Sequence, residues 1–319
     1  MAFYEEMNPA DITVEEILPF VKKFLPNIQT KSIHFFYHGT YNVFEINQKY
    51  ILRVADREFR NTKGLEMLRR EFKILSFLQK RLPLLIPEIL YLYDSEEMPF
   101  SIHKKIPGKS LVFISDHLSS NHKKKIGAEI GKFLSGLHSD VLMKDFLISF
   151  PDQEELMSSS SDFNQSYKLR WKTRYEEAKK IVYQYLDQEQ QEWLTKIFED
   201  YLNNENNFSF SPRVSHCDFD TSNILIDPKT KRLAGAIDFE DCKIWDPACD
   251  LLFFDDGPEF LNAVLDNYKY SKQKSLEGRM KFYYSRTCVP YFVWGTTHNR
   301  PGMIDEGMRR IRKNMKMFP

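Results

Sequence analysis

"SHCDFDTSNILID", residues 215–227, decides how the rest of the chain is read. His216, Asp218, Asp220 and Asn223 crowd into one short polar stretch, and the chain then runs straight into Ile-Leu-Ile. A polar cluster that ends on a short apolar run marks a loop feeding a buried strand. Twenty residues after Asp218 comes Ala236-Ile237-Asp238-Phe239-Glu240, where apolar residues lead to a second carboxylate. The two apolar runs are expected to pair as a hairpin, bringing the polar residues at their ends toward one cleft.

Carboxylates and an amide at this spacing suit phosphoryl transfer. A nucleoside triphosphate needs Mg²⁺ held by hard oxygen ligands that leave room for phosphate oxygens. Asp238 offers a carboxylate and Asn223 a neutral carbonyl oxygen. Asp218 is then left to orient an acceptor hydroxyl and take its proton. His216 is expected to bond backbone and hold the loop.

Working outward, the upstream third of the chain has the parts that such a site requires. "DITVEEILPFVKKFL" reads as an amphipathic helix with Thr13 and Glu16 at capping-box spacing and Pro19 inside it. "KSIHFFYHGTYNVFEINQKYILRVAD" gives three β-rich runs, with turns at Gly39 and at Asn47–Gln48. Leu65, Leu68, Phe72, Leu75 and Leu78 then recur at helical spacing. "LIPEILYLYD" and "PFSIHKKIPG" return to strands. Arg53 stands mid-strand among apolar residues, where a charge needs a partner. Glu71, eighteen residues on, borders the helix's apolar stripe and is the candidate partner. Gly39 and Thr40, within "YHGTYN", are candidates for a loop over the phosphates.

Beyond "PGKSL" the pattern is mainly helical. Ile126, Ile130, Phe133, Leu134 and Leu137 share one face. The serine-rich "MSSSSDFNQS" reads as a break before helices over roughly 166–206, and the chain from Pro247 onward reads as helical. The division expected is 1–106 for a nucleotide-binding lobe and 107–319 for a catalytic and substrate-binding lobe.

Bulk properties narrow the partners. Lys+Arg and Asp+Glu both number 45, so net charge is zero and nothing points to nucleic acid. Four cysteines lack any C-x-x-C pair, which argues for reduced thiols rather than a disulfide framework, and their spacing does not suit zinc. The N-terminus is acidic without an apolar segment, and no apolar run reaches membrane-spanning length. A cytoplasmic monomer without membrane contact is expected.

"VSHCDFDTSNILID", "LAGAIDFEDCKIWDPACDL", "YILRVA" and "LRREFKILSFL" resemble the aminoglycoside phosphotransferase family of kinase-like small-molecule kinases. "IHKKIPGKSL" is similar to the family's hinge, which makes His103 and Lys105 nucleotide-binding candidates. "IGKFLSGLH" is similar to the helix that follows. "RTCVPYFVWGTTHNRPGMIDEGMRRIR" is more weakly similar to the 2″-phosphotransferase branch. The resemblance covers most of residues 31–256. It implies an α+β, bilobal protein-kinase-like fold, with a small antiparallel sheet lobe carrying one long helix and a larger, mainly helical lobe. It also implies ATP or GTP as donor, Mg²⁺, and transfer of the γ-phosphate to a hydroxyl. Asp218 becomes the catalytic Asp, Asn223 and Asp238 the Mg²⁺ ligands, and Arg53 with Glu71 the phosphate-anchoring pair. Arg53 stands where many relatives have Lys, Cys217 where a glycine is common, and Glu240 where protein kinases have the glycine of Asp-Phe-Gly.

The acceptor is read from fewer residues. Asp255, Asp256 and Glu259 form an acidic patch that would attract a polyamine such as an aminoglycoside. Equally, carboxylates beside Pro258 suit a helix N-terminus. Trp294 can stack on a sugar ring or belong to the core, and Asp220 can help position the acceptor. Asp246 and Asp250 read as structural carboxylates. Two other readings stand beside an aminoglycoside kinase. One is a metabolic kinase for choline, homoserine, methylthioribose or a sugar. The other is a catalytically silent nucleotide-binding module, against which stand the intact Asp218, Asn223 and Asp238.

Overall fold

The computed structural model describes residues 9–58, 60, 63–151 and 160–319. The acidic start of the chain (1–8) and the first part of the serine-rich stretch (157–159) lie outside the described residues. The chain divides into two compact units. One runs to Leu111 and includes Asn223–Asp241, and the other comprises Val112–Ser222 and Cys242–Pro319.

In the first unit, helix α1 (Val14–Val21) starts at the expected capping box. Glu16 N–H donates to Thr13 Oγ1 at 3.2 Å and Thr13 N–H to Glu16 Oε2 at 2.8 Å, satisfying two orphan donors at the helix start. The helix ends two residues past Pro19. Five strands follow the expected runs: β1 (Ile33–His38), β2 (Tyr41–Ile46), β3 (Tyr50–Ala55), β4 (Glu88–Tyr93) and β5 (Phe100–Lys104). They form one antiparallel sheet in the order β1-β2-β3-β5-β4. Asn47 and Gln48 join β2 to β3 with φ of 53° and 57°, the left-handed geometry that matches a tight hairpin to strand twist.

Strand alternation sorts the sheet into two faces. Phe44, Ile46, Leu52, Val54, Phe100 and Ile102 point to one side and bury Ile17 and Val21 of α1. Tyr41, Val43 and Ala55 occupy the other, against Leu68 of helix α2 (Lys63–Leu78). Arg53, two residues from Ala55, shares that second face. Helical spacing puts Phe72 on the buried stripe of α2, yet it is 38% exposed, while Glu71 beside it is fully buried. The burial arc is rotated toward Glu71 because Arg53 waits beneath it.

The short strands β6 (Lys109–Ser110), β8 (Ile224–Ile226) and β9 (Leu233–Ala236) complete this unit, with β8 and β9 pairing as the expected hairpin.

The second unit is mainly helical. A single turn α3 (Leu111–Ile114) leads to α4 (Ser120–Leu137), α5 (Asp140–Ser149), α6 (Ser160–Val182) and α7 (Gln188–Asn203). The five apolar residues expected on one face of α4 are all buried. Helix α6 begins at Ser160, within the stretch read as a break. Phe163, Tyr167, Trp171 and Tyr175 recur every fourth residue and are buried, so the aromatic stripe carries the helix further back than the serines suggest. Strands β7 (Arg213–Ser215) and β10 (Lys243–Trp245) pair antiparallel. Helices α8 (Pro258–Asp266), α9 (Leu276–Ser285), α10 (Cys288–Thr297) and α11 (Pro301–Met317) finish the chain. Helices α4 and α8 touch backbone to backbone. A Cβ on Gly131 would sit 2.3 Å from Val264 O, and one on Gly127 2.9 Å from Phe260 O, so side chains at either position would push the helices apart. All four cysteines are free. Among the described residues no helix is long and apolar enough to cross a membrane.

Candidate active site

In the first unit the site is built around Arg53. β3 holds it on the α2 face, with its guanidinium 4.2 Å from the centre of the Tyr41 ring. Its Nη1 donates to Glu71 Oε1, and its Nη2 reaches Asp238 Oδ1 at 3.0 Å and Glu240 Oε2 at 3.2 Å. Burial by itself would depress the Arg53 guanidinium's pKa, but the three carboxylates outweigh it and hold the pKa well above its ordinary value. The same crowding acts on Glu240. Burial, then the negative charge of Asp238, pushes its carboxyl up to about 8, against the pull of Arg53. In the sequence Glu240 stands out only as a departure from glycine. Its position two residues after Asp238, one strand repeat away, was the available signal.

The β8–β9 hairpin sets the two proposed metal ligands. Ile224 pairs with Ala236, and Ile237 N–H donates to Asn223 O at 2.9 Å. Asn223 immediately precedes β8 and Asp238 lies just past β9, so both stand at the open end of one hairpin. Asp238 adopts φ 66°, a left-handed conformation that Asp tolerates better than most residues.

Gly39 and Thr40 form the turn between β1 and β2, as expected. Gly39 N–H donates to Tyr41 O at 3.0 Å, and Asp56 N–H to Thr40 O at 3.2 Å. His103, on β5, is buried, and its Nε2 bonds Ser101 Oγ at 2.7 Å. Burial and the nearby Arg53 charge lower its pKa to about 3, so the ring is neutral. The Lys105 ammonium is paired with Glu45.

In the second unit Asp218 is exposed on the loop after β7. Its amide N–H donates to His216 Nδ1 at 3.3 Å, so the buried histidine holds the loop as expected. Asp250 supports the loop from behind. Its Oδ2 accepts from His216 N–H at 2.7 Å and its Oδ1 from Cys217 N–H at 2.8 Å. Burial would push the Asp250 carboxyl up, yet bonds from His138 and from the His216 amide hold it below its ordinary range. His138, at the end of α4, is another residue that the sequence does not single out. It reaches Asp250 Oδ2 at 3.0 Å and Tyr268 Oη at 2.8 Å, and its place at the close of "SGLH" was the only clue. Cys217 has φ 71°, which explains why a glycine would be at home there.

The acidic candidates separate. Asp220 accepts from Ser222 N–H at 2.7 Å, shaping its own turn. Glu259, in the first turn of α8, bonds Ser120 and lies 3.7 Å from Lys124. Asp255 is taken up by Tyr284 Oη and by Lys313 Nζ at 2.5 Å. Asp256 has neither hydrogen-bond nor ion-pair partner among the described residues. Burial, then the negative charges of Asp255 and Asp220 against the pull of Lys123 and Lys313, raises its carboxyl to about 7. Trp294 is half-buried on α10, its ring stacked on His298 at 3.9 Å.

The phosphotransferase enzyme family matches residues 32–283. Among solved structures, the chain is similar to the GDP and kanamycin complex of APH(2")-IIia, with 19% identity, TM-score 0.80, and 95% of this chain and 99% of that one covered. It is also similar to the streptomycin-ATP-APH(2")-IIa ternary complex, with 24% identity, TM-score 0.63, and 96% and 97% covered. A Plasmodium vivax ethanolamine kinase matches with 15% identity, TM-score 0.57, and 98% and 91% covered. At these identities the structures speak for the fold, and the family match speaks for the chemistry. The chain belongs to the phosphotransferase enzyme family: it is a phosphotransferase with an alcohol group as acceptor, built on a protein-kinase-like fold.

Proposed function

We propose that the protein transfers the γ-phosphate of ATP or GTP to a hydroxyl of a cationic small molecule, with an aminoglycoside as the best-supported acceptor. The observation that carries the acceptor is Asp256. A half-buried carboxylate left unpaired beside Asp255 and Asp220 is completed by a cation, and an amino group on a ligand supplies one. Kanamycin and streptomycin, both polycationic, are the ligands named in the similar structures.

Asp238 and Asn223 are the residues that would hold Mg²⁺. A carboxylate and an amide oxygen at one hairpin end are hard donors of the right kind. When bound, the metal neutralises phosphate charge. Arg53, kept charged by Glu71, anchors the donor phosphates. Asp218 receives the proton of the attacking hydroxyl, and His216 with Asp250 holds its loop. Arg53→Lys is expected to lower kcat/KM for the nucleotide about tenfold, because one ammonium does not reproduce the fork between Glu71 and the Asp238–Glu240 pair. Nucleotide titration at fixed acceptor measures this, and an unchanged value removes Arg53 from the donor site.

Asp256 makes the acceptor testable through pH. Its carboxyl, titrating near pH 7, is protonated as pH falls, so KM for a polycationic acceptor should rise below pH 7. Asp256→Asn should raise that KM about tenfold at pH 8 and flatten the profile. A profile unchanged by the substitution would remove Asp256 from the acceptor site. The function itself is tested by nucleotide turnover with ATP and GTP against aminoglycosides, choline, ethanolamine and sugar alcohols. Turnover confined to a neutral sugar overturns the cationic acceptor while keeping the chemistry.

A further inference from the structure

The Gly39–Thr40 turn is held at its stem by a histidine that needs both of its protons. His38 closes β1 immediately before Gly39 and is 6% exposed. Its Nδ1 lies 2.7 Å from Pro9 O, and its Nε2 2.7 Å from Asp56 Oδ2. A carbonyl oxygen and a carboxylate both accept. A neutral imidazole has a single N–H, so meeting both acceptors takes the imidazolium. Asp56 passes this grip to the turn, because its own N–H donates to Thr40 O. On the other arm, fully buried Asn42 donates to Asp11 Oδ1 at 2.5 Å and accepts from Asp11 N–H at 2.9 Å.

Asp11, His38 and Asp56 lie close enough together to suggest a metal site, their ligand atoms falling within 4.8 Å of one another. Both His38 nitrogens and all four carboxylate oxygens already have a hydrogen-bond partner, however. Asp11 Oδ2 accepts from Arg57 N–H and Asp56 Oδ1 from Glu58 N–H, each at 2.7 Å. Arg60 lies 3.6 Å from Asp11 Oδ1, so positive charge is supplied by side chains.

We propose that protonated His38 is a positioning residue for the nucleotide-binding turn, so that the enzyme's affinity for nucleotide falls when His38 loses its proton. This rests on the phosphotransfer reading, in which Gly39 and Thr40 cover the phosphates. Among the described residues, the charges acting on the ring are those of Asp56, which it bonds, and of Asp11 from the N-terminal segment; Arg57 and Arg60, after β3, reach Asp11, Glu16 of α1 reaches Arg57, and β2 presents the neutral Asn42. Burial opposes the charged ring, but the bonds to Asp56 and Pro9 and the charges of Asp11 and Asp56 outweigh it and raise the pKa above its ordinary 6.5. A raised pKa means that the clamp is intact at lower pH and lost as pH climbs through the folded value.

The test begins without nucleotide, on the full chain, by nitrogen-detected NMR titration of the imidazoles and of the Gly39 and Thr40 amides. The expected result is a His38 midpoint above 6.5, with both amides following it. A midpoint at or below 6.5, or amides that ignore it, overturns the proposal, and this readout holds even if no acceptor is ever phosphorylated. Kinetics supply the second readout. From pH 6.5 to 8.5 the wild-type nucleotide KM is expected to rise about tenfold, while His38→Gln starts high and stays flat across that window. A His38→Gln enzyme with the wild-type pH dependence of KM also overturns it.

Discussion

Asp218→Asn is expected to reduce turnover on every acceptor by about 10²–10⁴-fold, with nucleotide KM near the wild-type value. The substitution keeps the shape of the side chain and removes its ability to take a proton. Backbone amides hold the loop on their own account. The Asp218 amide bonds His216, and the His216 and Cys217 amides bond Asp250. Initial rates with saturating nucleotide, read beside a thermal melt, separate chemistry from folding. Turnover within about tenfold of wild type would remove Asp218 from proton transfer and leave the acceptor hydroxyl to deprotonate by another route.

The largest stability effect is expected at Arg279. It and Asp246 are both fully buried. Asp246 Oδ1 accepts from Arg279 Nε at 3.2 Å and from Ala248 N–H at 3.0 Å, while its Oδ2 accepts from Tyr167 Oη at 3.1 Å. Tyr167 Oη in turn bonds Tyr283 Oη at 2.7 Å and Tyr201 Oη at 3.0 Å. The guanidinium also donates to Lys274 O and Gln273 Oε1, each at 3.1 Å. Arg279→Met leaves a carboxylate in the core without its cation, a loss of about 3–5 kcal/mol. Adding Asp246→Leu should recover part of it, since the stranded charge is the main cost. Activity should fall with the single change as well, because Asp246 caps the turn Pro247–Asp250 that presents Asp250 to the loop bearing Asp218. Urea unfolding of the two variants measures the difference. A single-variant cost below about 1 kcal/mol would mean that Asp246 is protonated or rehydrated in place.

What the sequence determined by itself was the local grammar. The Asn47–Gln48 hairpin, the Thr13–Glu16 capping box, the α4 stripe from Ile126 to Leu137 and the order of polar and apolar residues from His216 to Ile226 depend on neighbours a few positions apart, and pattern alone reports them. The hairpin that sets Asn223 and Asp238 at one end was legible for the same reason, since alternation and a turn suffice to define it. The tertiary structure decided everything that depended on which flank of an element found a partner. Periodicity places Glu71 and Phe72 side by side at the edge of one stripe. Only the arrival of Arg53 from β3 buries the charged one and leaves the ring 38% exposed. It also decided which carboxylates remain available. Asp255 and Asp256 are adjacent and chemically alike, yet Tyr284 and Lys313 engage the first and leave the second unpaired. Glu240, His38 and His138 took their roles from partners between 18 and 187 residues away. At such separations, desolvation and charge at the meeting point govern the outcome, and they exist only once the chain has folded.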